Sequence, residues 1–537
     1  MGQNGTMEVG LIAPHKGEMG IRSLSAALRG RGARTRMVFA PLFEQSMYSE
    51  KQVRDIKDIV RGSDAIGIST MCISHKRTMQ LIRALREDWQ TRSAPIIVGG
   101  ASATQNPKAF IGYADAVVRG EGEEAIVELV RTLESGGDIR RMRNLAFSSN
   151  GILVQNPVRK PVKDLDRLPF DDYDFHEGHH FRLAPEGMIR IETPEQSIPG
   201  IQNLATPYEA SLFVFGMRGC AYACTFCINS WEKKAYGKDH KRARSVGNLV
   251  ANMRLVLDRH PHVRHVSMFD DDFFLRSVPE MKEFSAVYRE RIGLPFFAYS
   301  SPATFDPEKL AILIEAGMNR VAVGFQSGSE RMLRFYRRPA SDIRKALSII
   351  ATLAKAQADN PGMELPDIDF MIDAPLEKAE DARKTIELLL SMSKTGPFEA
   401  HMHNFHLFPG TPFHELARAR GLPVEKMLEE DSLHMGFEFQ DHRPKIEEKL
   451  SEIAGSKDTE RAQHSLYTTI LFFVSGRCDN ERLGALSRAE IEGMLAMPID
   501  KARGLVDILR KRAESISTVR YYSELEKTGG TTYLKDG

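Results

Sequence analysis

Cys220, Cys224 and Cys227 fall within the eight residues Cys220-Ala221-Tyr222-Ala223-Cys224-Thr225-Phe226-Cys227, whereas Cys72 and Cys478 stand alone. Three neighbours cannot all pair as disulfides, and 5 cysteines in 537 residues make no disulfide scaffold. The triplet reads as a ligand set. Three thiolates on a short loop can each hold a different iron of a cubane cluster, leaving the fourth iron open to a chelating molecule. A structural zinc needs a fourth ligand, and no CxxC or HxxxH partner lies nearby at the customary spacing; His240 and the Trp231 region offer no convincing substitute. A third reading is three buried structural cysteines on a loop led by Gly219.

Other polar groupings are less specific. Asp270-Asp271-Asp272 follows an apolar run and can hold magnesium or form a solvated turn. His176-Glu177-Gly178-His179-His180 satisfies HExxH, the zinc-protease spacing, which works only on a helix that puts both imidazoles on one face. Gly178 inside it, the aspartates before it and Pro185 after it argue against that helix. In His401-Met402-His403-Asn404-Phe405-His406, a strand would put His401 and His403 on one face and His406 on the other. Packing and surface, substrate contact at a barrel mouth, or a metal site are the readings of that segment.

The elements that would position these residues form two α/β series. In residues 1–140, apolar runs at Val9–Ala13, Thr35–Ala40, Ala65–Thr70, Pro95–Val98 and Ala116–Val118 alternate with amphipathic stretches. That pattern predicts a small, doubly wound, Rossmann-like parallel sheet. Ligands of such sheets bind beyond the carboxyl ends of the strands. Those ends carry Pro14-His15-Lys16-Gly17, Ser69-Thr70-Met71, Gly99-Gly100-Ala101-Ser102 and Gly120-Glu121-Gly122-Glu123. Residues 141–205, broken by Pro157, Pro161, Pro169, Pro185, Pro194 and Pro199, read as an ordered linker with a hairpin at Asn150-Gly151. A second series over 206–420 has strand-like runs at Leu212–Met217, His265–Phe269, Phe296–Tyr299, Arg320–Phe325, Ile368–Ile372 and Ala400–Leu407. It predicts a partial (β/α)6 barrel whose functional face is the carboxyl end of its strands. Residues 421–537 read as a helical region, with a capping box at Ser487-Arg488-Ala489-Glu490.

Composition bounds the partners. Lys plus Arg 73 against Asp plus Glu 72 leaves a charge of +1, no global footprint for nucleic acid or an anionic membrane. Hydrophobic content of 42% with 28 Phe argues for folded cores. No apolar run approaches the ~18 residues of a membrane span, and the N-terminus lacks the pattern of a secretory signal. A soluble, cytoplasmic, multidomain protein is expected.

The cysteine loop, CxxxCxφC with Phe226 as the aromatic φ, resembles that of the radical S-adenosylmethionine (SAM) superfamily, a likeness spanning about residues 211–416. It implies a [4Fe-4S] cluster on Cys220, Cys224 and Cys227, with SAM chelating the open iron and an external low-potential electron donor. It further implies SAM contacts from Phe226, from Asp270, Asp271 and Asp272, and from Gln326 and Ser327 in Gly324-Phe325-Gln326-Ser327-Gly328-Ser329, which resembles a GxESGS turn. Gln326 stands where that turn has Glu. Asp373-Ala374-Pro375-Leu376-Glu377 resembles a GxPxE segment with Asp373 for Gly, and Leu407–Pro412 resembles a PGT turn.

The α/β domain ahead of the barrel, with Gly99-Gly100, Gly120-Glu121-Gly122-Glu123 and Leu165-Asp166-Arg167-Leu168-Pro169, resembles the cobalamin-binding radical SAM subfamily. This implies cobalamin against Ser69, Thr70, Gly99, Gly100, Gly120, Glu121 and Gly122. DxHxxG, which supplies an axial histidine to cobalt, is not matched by Ala13-Pro14-His15-Lys16-Gly17-Glu18, so His15 reads as a loop residue. The expected activity is a cobalamin-dependent radical SAM methyltransferase acting on unactivated carbon or phosphorus of a small molecule, with no nucleic-acid or membrane partner. A cobalamin radical SAM cyclase or rearranging enzyme without methyl transfer, a fold that has lost its cobalamin, and a non-catalytic iron–sulfur or cobalamin-binding module are the alternatives.

Overall fold

Nine strands build the first sheet: β1 (Glu8–Ala13), β2 (Arg34–Phe39), β3 (Ala65–Ser69), β4 (Ile96–Gly99), β5 (Ala116–Val118), β6 (Leu145–Ser149), β7 (Ile152–Gln155), β8 (His180–Ala184) and β9 (Gly187–Arg190). They lie in the order β7-β6-β5-β4-β3-β1-β2-β8-β9. This computed structural model describes residues 6–15, 18–42, 47–184, 187–199, 210–338, 343–424 and 443–514. β1 sits between β2 and β3, parallel to both, and from Val9 onward every residue is buried, the continuous run of a doubly covered strand. Strand order reverses between β1 and β3, which opens a crevice at their carboxyl ends.

The stretch read as a linker extends this sheet instead. β6 and β7 form the expected hairpin, closed by Asn150 (φ 51°) and Gly151 (φ 78°), both in the left-handed region that a two-residue primed turn requires. β8 adds parallel to β2 and β9 antiparallel to β8. The prolines did delimit short elements, but each short strand gained a sheet edge to pair with, a tertiary contact invisible to local pattern.

The second sheet runs β10 (Ser211–Val214), β13 (His265–Met268), β14 (Phe296–Ser300), β15 (Met318–Gln326), β16 (Asp367–Ile372) and β17 (Phe398–Asn404), all parallel in that order. Two short strands, β11 (Met217–Arg218) and β12 (Arg242–Ala243), form a separate antiparallel ribbon. The six parallel strands are the predicted partial barrel. Leu212, Val266, Ala298, Val321, Ile368 and Ala400 point to the helix-covered outer face, where they are at most 2% exposed. With a period of two, Phe213, Ser267, Phe297, Tyr299, Arg320, Asp367, Asp369, His401 and His403 face inward.

The C-terminal part is mainly helical, with Arg443–Gly455 and Thr459–Val474 packed together and the second against Ala379–Thr395. The expected capping box at Ser487 and Glu490 is formed. Three short strands, β18 (Gly476–Cys478), β19 (Arg482–Leu483) and β20 (Leu486–Ser487), continue the second sheet antiparallel beyond β17. Sequence reading missed them because they are too short to show alternation. Residues 425–442 and 515–537 of the region read as helical lie outside the described residues. Among the described residues no helix is long and apolar enough to cross a membrane.

Candidate functional site

The cysteine loop leaves β11 and is pinned to the barrel mouth by backbone. Thr225 N donates to Tyr336 O at 3.0 Å, Thr225 Oγ1 donates to Phe335 O at 2.7 Å, and Phe413 N donates to Thr225 O at 2.9 Å. His240 puts Nε2 2.5 Å from Cys220 O and Nδ1 2.9 Å from Gly237 O, so both ring nitrogens engage the backbone and neither is a free ligand. Burial pushes the Cys220 and Cys227 thiols up to about 12. Such groups ionise only when a metal takes the place of the proton. Two donors sit beside the sulfurs: Asn229 Nδ2 at 3.6 Å from Cys227 Sγ, and Arg338 Nη1 at 3.7 Å from Cys224 Sγ.

Spacing decides between the metal readings. A tetrahedral zinc with Zn–S near 2.3 Å holds its sulfurs about 3.8 Å apart. Among the described residues, the one group of three or more potential ligand atoms within 4.8 Å of one another is Asp172, His179 and His180, not the cysteines. The three sulfurs do not all lie within 4.8 Å of one another, a wider spread than the ~3.8 Å separation of a tetrahedral zinc site. Three thiols on a pinned loop with flanking donors fit a multi-iron cluster.

The three aspartates separate into three roles. Asp270 is fully buried, and its Oδ1 accepts from Gly216 N (2.6 Å) and Met217 N (2.8 Å). Arg276 lies 3.7 Å from its Oδ2, and burial still lifts the carboxyl to about 6. Asp270 Oδ1 braces the turn that leads into the cysteine loop, while its buried Oδ2 has no hydrogen-bond partner among the described residues. Asp272 is 2% exposed, accepts from Thr304 Oγ1 at 2.7 Å, and is raised by burial to about 6. Asp271 alone opens into a cavity, against Asn229, with its pKa raised by the enclosure.

At the end of β15, Gln326 adopts φ 73°, a left-handed backbone uncommon for a residue with a long side chain. Arg338 Nη2 holds the neighbouring Gly324 O at 2.6 Å, linking this turn to the sulfurs. Ser327 is 2% exposed and its Oγ accepts from Ser329 N at 3.1 Å, which braces the turn. Phe226 packs edge-on against Tyr336 (5.3 Å) and Phe405 (6.5 Å), an apolar shield beside the cysteines. Asp373 keeps the left-handed conformation (φ 59°) that Gly would supply, an option open to Asp, and Lys449 neutralises it at 2.9 Å. The backbone conformation that glycine would supply is kept there.

Opposite the cysteine loop lies the edge of the first sheet. A cavity of about 420 Å³ is lined on one side by Ser69, Gly99, Gly100, Gly120, Glu121 and Gly122. On the other side it is lined by Phe215, Arg218, Gly219, Ile228, Asn229, Glu232 and Asp271. Gly100 has φ +96°, and a Cβ there would lie 2.6 Å from Thr70 O; Gly120 has φ +82°, and its Cβ would collide with the Tyr236 hydroxyl. These glycines put no side chain on the lining, and the space a Cβ would take is filled by Thr70 and by Tyr236. Thr70 does not join the lining: fully buried, its Oγ1 accepts from Thr78 Oγ1 at 3.1 Å and its carbonyl lies under Gly100. His15 is 3% exposed, lies 3.3 Å from Ser69 Oγ, and is driven down to about 4 by burial. Among the described residues no histidine lines this cavity.

Ion pairs lock the two edges together. Arg218 Nη2 reaches Glu123 Oε1 at 2.5 Å, Arg242 Nη2 reaches Glu121 Oε1 at 2.6 Å, and Glu121 N donates to Tyr236 Oη at 2.9 Å. Burial opposes the Glu123 charge, but Arg218 overrides it and holds the carboxyl down at about 2. Glu232, by contrast, is raised by burial to about 7. Sequence reading missed Arg218, Arg242, Asn229, Glu232 and Arg338. A basic or amide residue carries no local signature; its role appears only when chain segments more than 90 residues apart meet, as Arg218 and Glu123 do.

HExxH is not helical here: Gly178 occupies a turn, and His180 opens β8. His179 and His180 instead face Asp172, whose Oδ2 accepts from Ser25 Oγ (2.6 Å) and lies 3.4 Å from the Arg29 guanidinium. Arginine supplies the cation of that cluster. His401 and His403 share the inward face as expected, and His406 lines a separate charged cavity of about 310 Å³ with Asp373, Lys449 and His464.

Residues 214–389 match the family described as the radical SAM superfamily, and residues 15–130 match the B12 binding domain. An uncharacterized methyltransferase of Pyrococcus horikoshii is 25% identical over 330 residues, covering 61% of this chain and 64% of that protein. The anaerobic magnesium-protoporphyrin IX monomethyl ester cyclase of Rubrivivax gelatinosus is 22% identical over 406 residues, covering 73% and 64%. The chain therefore spans slightly less than two thirds of either relative. Among solved structures, the cobalamin-dependent SAM radical enzyme OxsB, with aqua-cobalamin and SAM bound, aligns over 99% of this chain and 82% of its own at TM-score 0.65 and 13% identity, a likeness of fold.

Proposed function

Because this chain joins a B12-binding domain to a radical SAM domain, we propose that it is a cobalamin-dependent radical SAM methyltransferase acting on an unactivated carbon, or on phosphorus, of a small molecule. One observation carries the reading: the glycine edge of the first sheet and the loop after the cysteines line the same cavity. A methyl carrier and a radical source must both reach one substrate, and that requires their two sites to share a space.

In this reading Cys220, Cys224 and Cys227 hold the [4Fe-4S] cluster. Asp271, Gln326 and the Phe226 face receive SAM. Ser69, Gly99, Gly100, Gly120, Glu121 and Gly122 form the cobalamin floor. When bound, the cluster supplies the electron for reductive SAM cleavage and cobalamin supplies a methyl carrier. The protein's own contribution is positional. Arg338 and Asn229 place donors beside thiolate sulfur, Asp271 offers an acceptor at the mouth, and the packing of Phe226, Tyr336 and Phe405 excludes water. The proposed division is a cobalamin-binding unit extended by strands from 141–205, a partial barrel over 206–420 and a helical region from 421. An external low-potential donor would deliver the electron.

The likeness to the Rubrivivax cyclase favours a second reading, ring formation without methyl transfer. Anaerobic reconstitution tests the shared part. About four irons per chain and 5′-deoxyadenosine released from SAM under reduction are expected. Stoichiometric zinc without iron, or iron without SAM cleavage, contradicts the enzyme reading.

A further inference from the structure

The inward face of the partial barrel has two unlike walls. On β10, β13 and β14 it is aromatic: Phe213 and Phe269 are 4.9 Å apart edge-to-face, Phe269 and Tyr299 5.6 Å, and Phe297 and Tyr299 4.7 Å. Phe215 continues the wall, 6.2 Å from Phe269, and also lines the cavity shared with the first sheet. On β15, β16 and β17 the wall is ionic. Arg320 grips Asp367 through Nε and Nη2, both at 2.7 Å, and His401 Nε2 lies 2.6 Å from Asp367 Oδ1. One register step toward the mouth, His403 Nε2 lies 3.1 Å from Asp369 Oδ1.

The two carboxylates differ in what they have left to give. The Asp367 side chain is 3% exposed and its charge is met by a bidentate guanidinium and an imidazole, so it holds the wall together. Asp369 is 19% exposed and His403 38%, although the outward-facing neighbours Ile368, Phe370 and Met402 are at most 2% exposed. Phe213, Phe269 and Tyr299 across the lumen are partly exposed as well. The exposure therefore opens inward, into the barrel. A carboxylate accepts about four hydrogen bonds, and among the described residues the one hydrogen bond on Asp369 comes from His403. Its negative charge repels acidic ligands and suits a donor.

We propose that this lumen is the substrate chamber and that its walls select the substrate class: a planar aromatic or heteroaromatic ring carrying an amine or ring N–H. The ring lies against Phe213, Phe269 and Tyr299, while the nitrogen donates to Asp369, held in place by His403. This rests on the enzymatic reading above and deepens it, since nothing in the cysteine loop or the glycine floor discriminates among substrates. Asp369, His403 and Phe269 act as specificity-determining residues. Edge-to-face aromatic contacts add to simple burial, so several acting together select for a ring.

The test uses the full-length protein reconstituted anaerobically with its cluster, and calorimetric binding of three probes: tryptamine (ring and amine), indole-3-propionate (ring and acid) and hexylamine (amine alone). Tryptamine is expected to bind at least tenfold more tightly than either of the others. Asp369→Asn should erase the preference for tryptamine over indole-3-propionate, His403→Gln should weaken tryptamine binding several-fold, and Phe269→Leu should erase the preference over hexylamine. Iron content and 5′-deoxyadenosine formation, measured on every variant, report folding and the radical reading separately. If SAM is cleaved but no probe binds, or acid and amine bind alike, or Asp369→Asn keeps full selectivity, the chamber assignment is wrong and the enzyme reading stands. If selective binding occurs without SAM cleavage, the enzyme reading is wrong and the chamber assignment stands.

Discussion

The two edges that face each other across the 420 Å³ cavity are built on opposite principles. The barrel edge works through side chains: thiols at fixed spacing, a carboxylate opened into the cavity, a guanidinium beside sulfur. The edge of the first sheet works through the lack of side chains, with Gly99, Gly100, Gly120 and Gly122 leaving backbone exposed and Tyr236 and Arg218 reaching over from the barrel side. A cluster must be held by covalent-strength ligands, whereas a broad flat cofactor needs contact area and an unobstructed floor. The difference teaches that substitution should be felt by subtraction on one edge and by addition on the other.

Subtraction on the barrel edge should be all-or-none. Cys220→Ala, Cys224→Ala or Cys227→Ala should each reduce SAM cleavage to background and lower bound iron, whereas Cys478→Ala, buried beside Val474 and far from the loop, should assemble a full cluster. Iron analysis and 5′-deoxyadenosine yield check both. Addition on the other edge should be nearly as severe for one ligand only. Gly100→Ala places a methyl 2.6 Å from Thr70 O at φ +96°, costing on the order of 1–3 kcal/mol in backbone strain. Cobalamin retention should fall at least tenfold while iron content stays at the wild-type level. Loss of both together would mean the edges are not separable.

Milder changes sharpen the contrast further. Arg338→Gln removes the cation 3.7 Å from Cys224 Sγ and should lower the cluster reduction potential by on the order of tens of millivolts, read by redox titration. The seam between the edges should respond to acid. Arg218 holds the folded Glu123 carboxyl at about 2, below its ordinary 4.5. Its charge therefore contributes stability that is fully present above pH 4.5 and is lost as the pH falls toward 2. The gain is on the order of 3 kcal/mol at most. Denaturation of wild type and Glu123→Gln should show a gap at pH 7 that narrows below pH 4.5; a gap independent of pH contradicts the ion-pair account. Smallest of all, Asp271→Asn should weaken SAM binding several-fold with little change in stability. Asp270→Asn removes a carboxyl that burial already raises to about 6 and keeps an oxygen to accept from Gly216 N and Met217 N, so folding stability at pH 7 should change little.

The same contrast explains what could be read from the sequence. The cysteine loop was legible because its chemistry resides in residue type and spacing, and the six barrel strands because helix-covered faces impose long apolar periodicity. Glycine phrases marked the first edge but did not say which residues reach the ligand: Thr70 sits within the same phrase as Ser69 and is sealed by Thr78. Asp270 and Asp271 are adjacent and of one type, yet one faces a turn and the other a cavity, a distinction made by tertiary packing alone. β8 and β9 escaped notice because their apolar pattern is short and β8 gains its edge by pairing with β2, more than 130 residues earlier, while β9 pairs in turn with β8.

The central claim is that the two edges serve one methyl transfer, and a single labelling experiment addresses it. The reconstituted protein, loaded with cobalamin and reduced anaerobically, is given SAM bearing a trideuterated methyl group, and the bound cobalamin is analysed by mass spectrometry. The account predicts trideuteromethylcobalamin on the wild-type protein and at most a tenth as much on Gly100→Ala. Abundant 5′-deoxyadenosine with no label ever reaching cobalamin would contradict it, leaving a radical enzyme that forms rings or rearranges its substrate without carrying methyl groups.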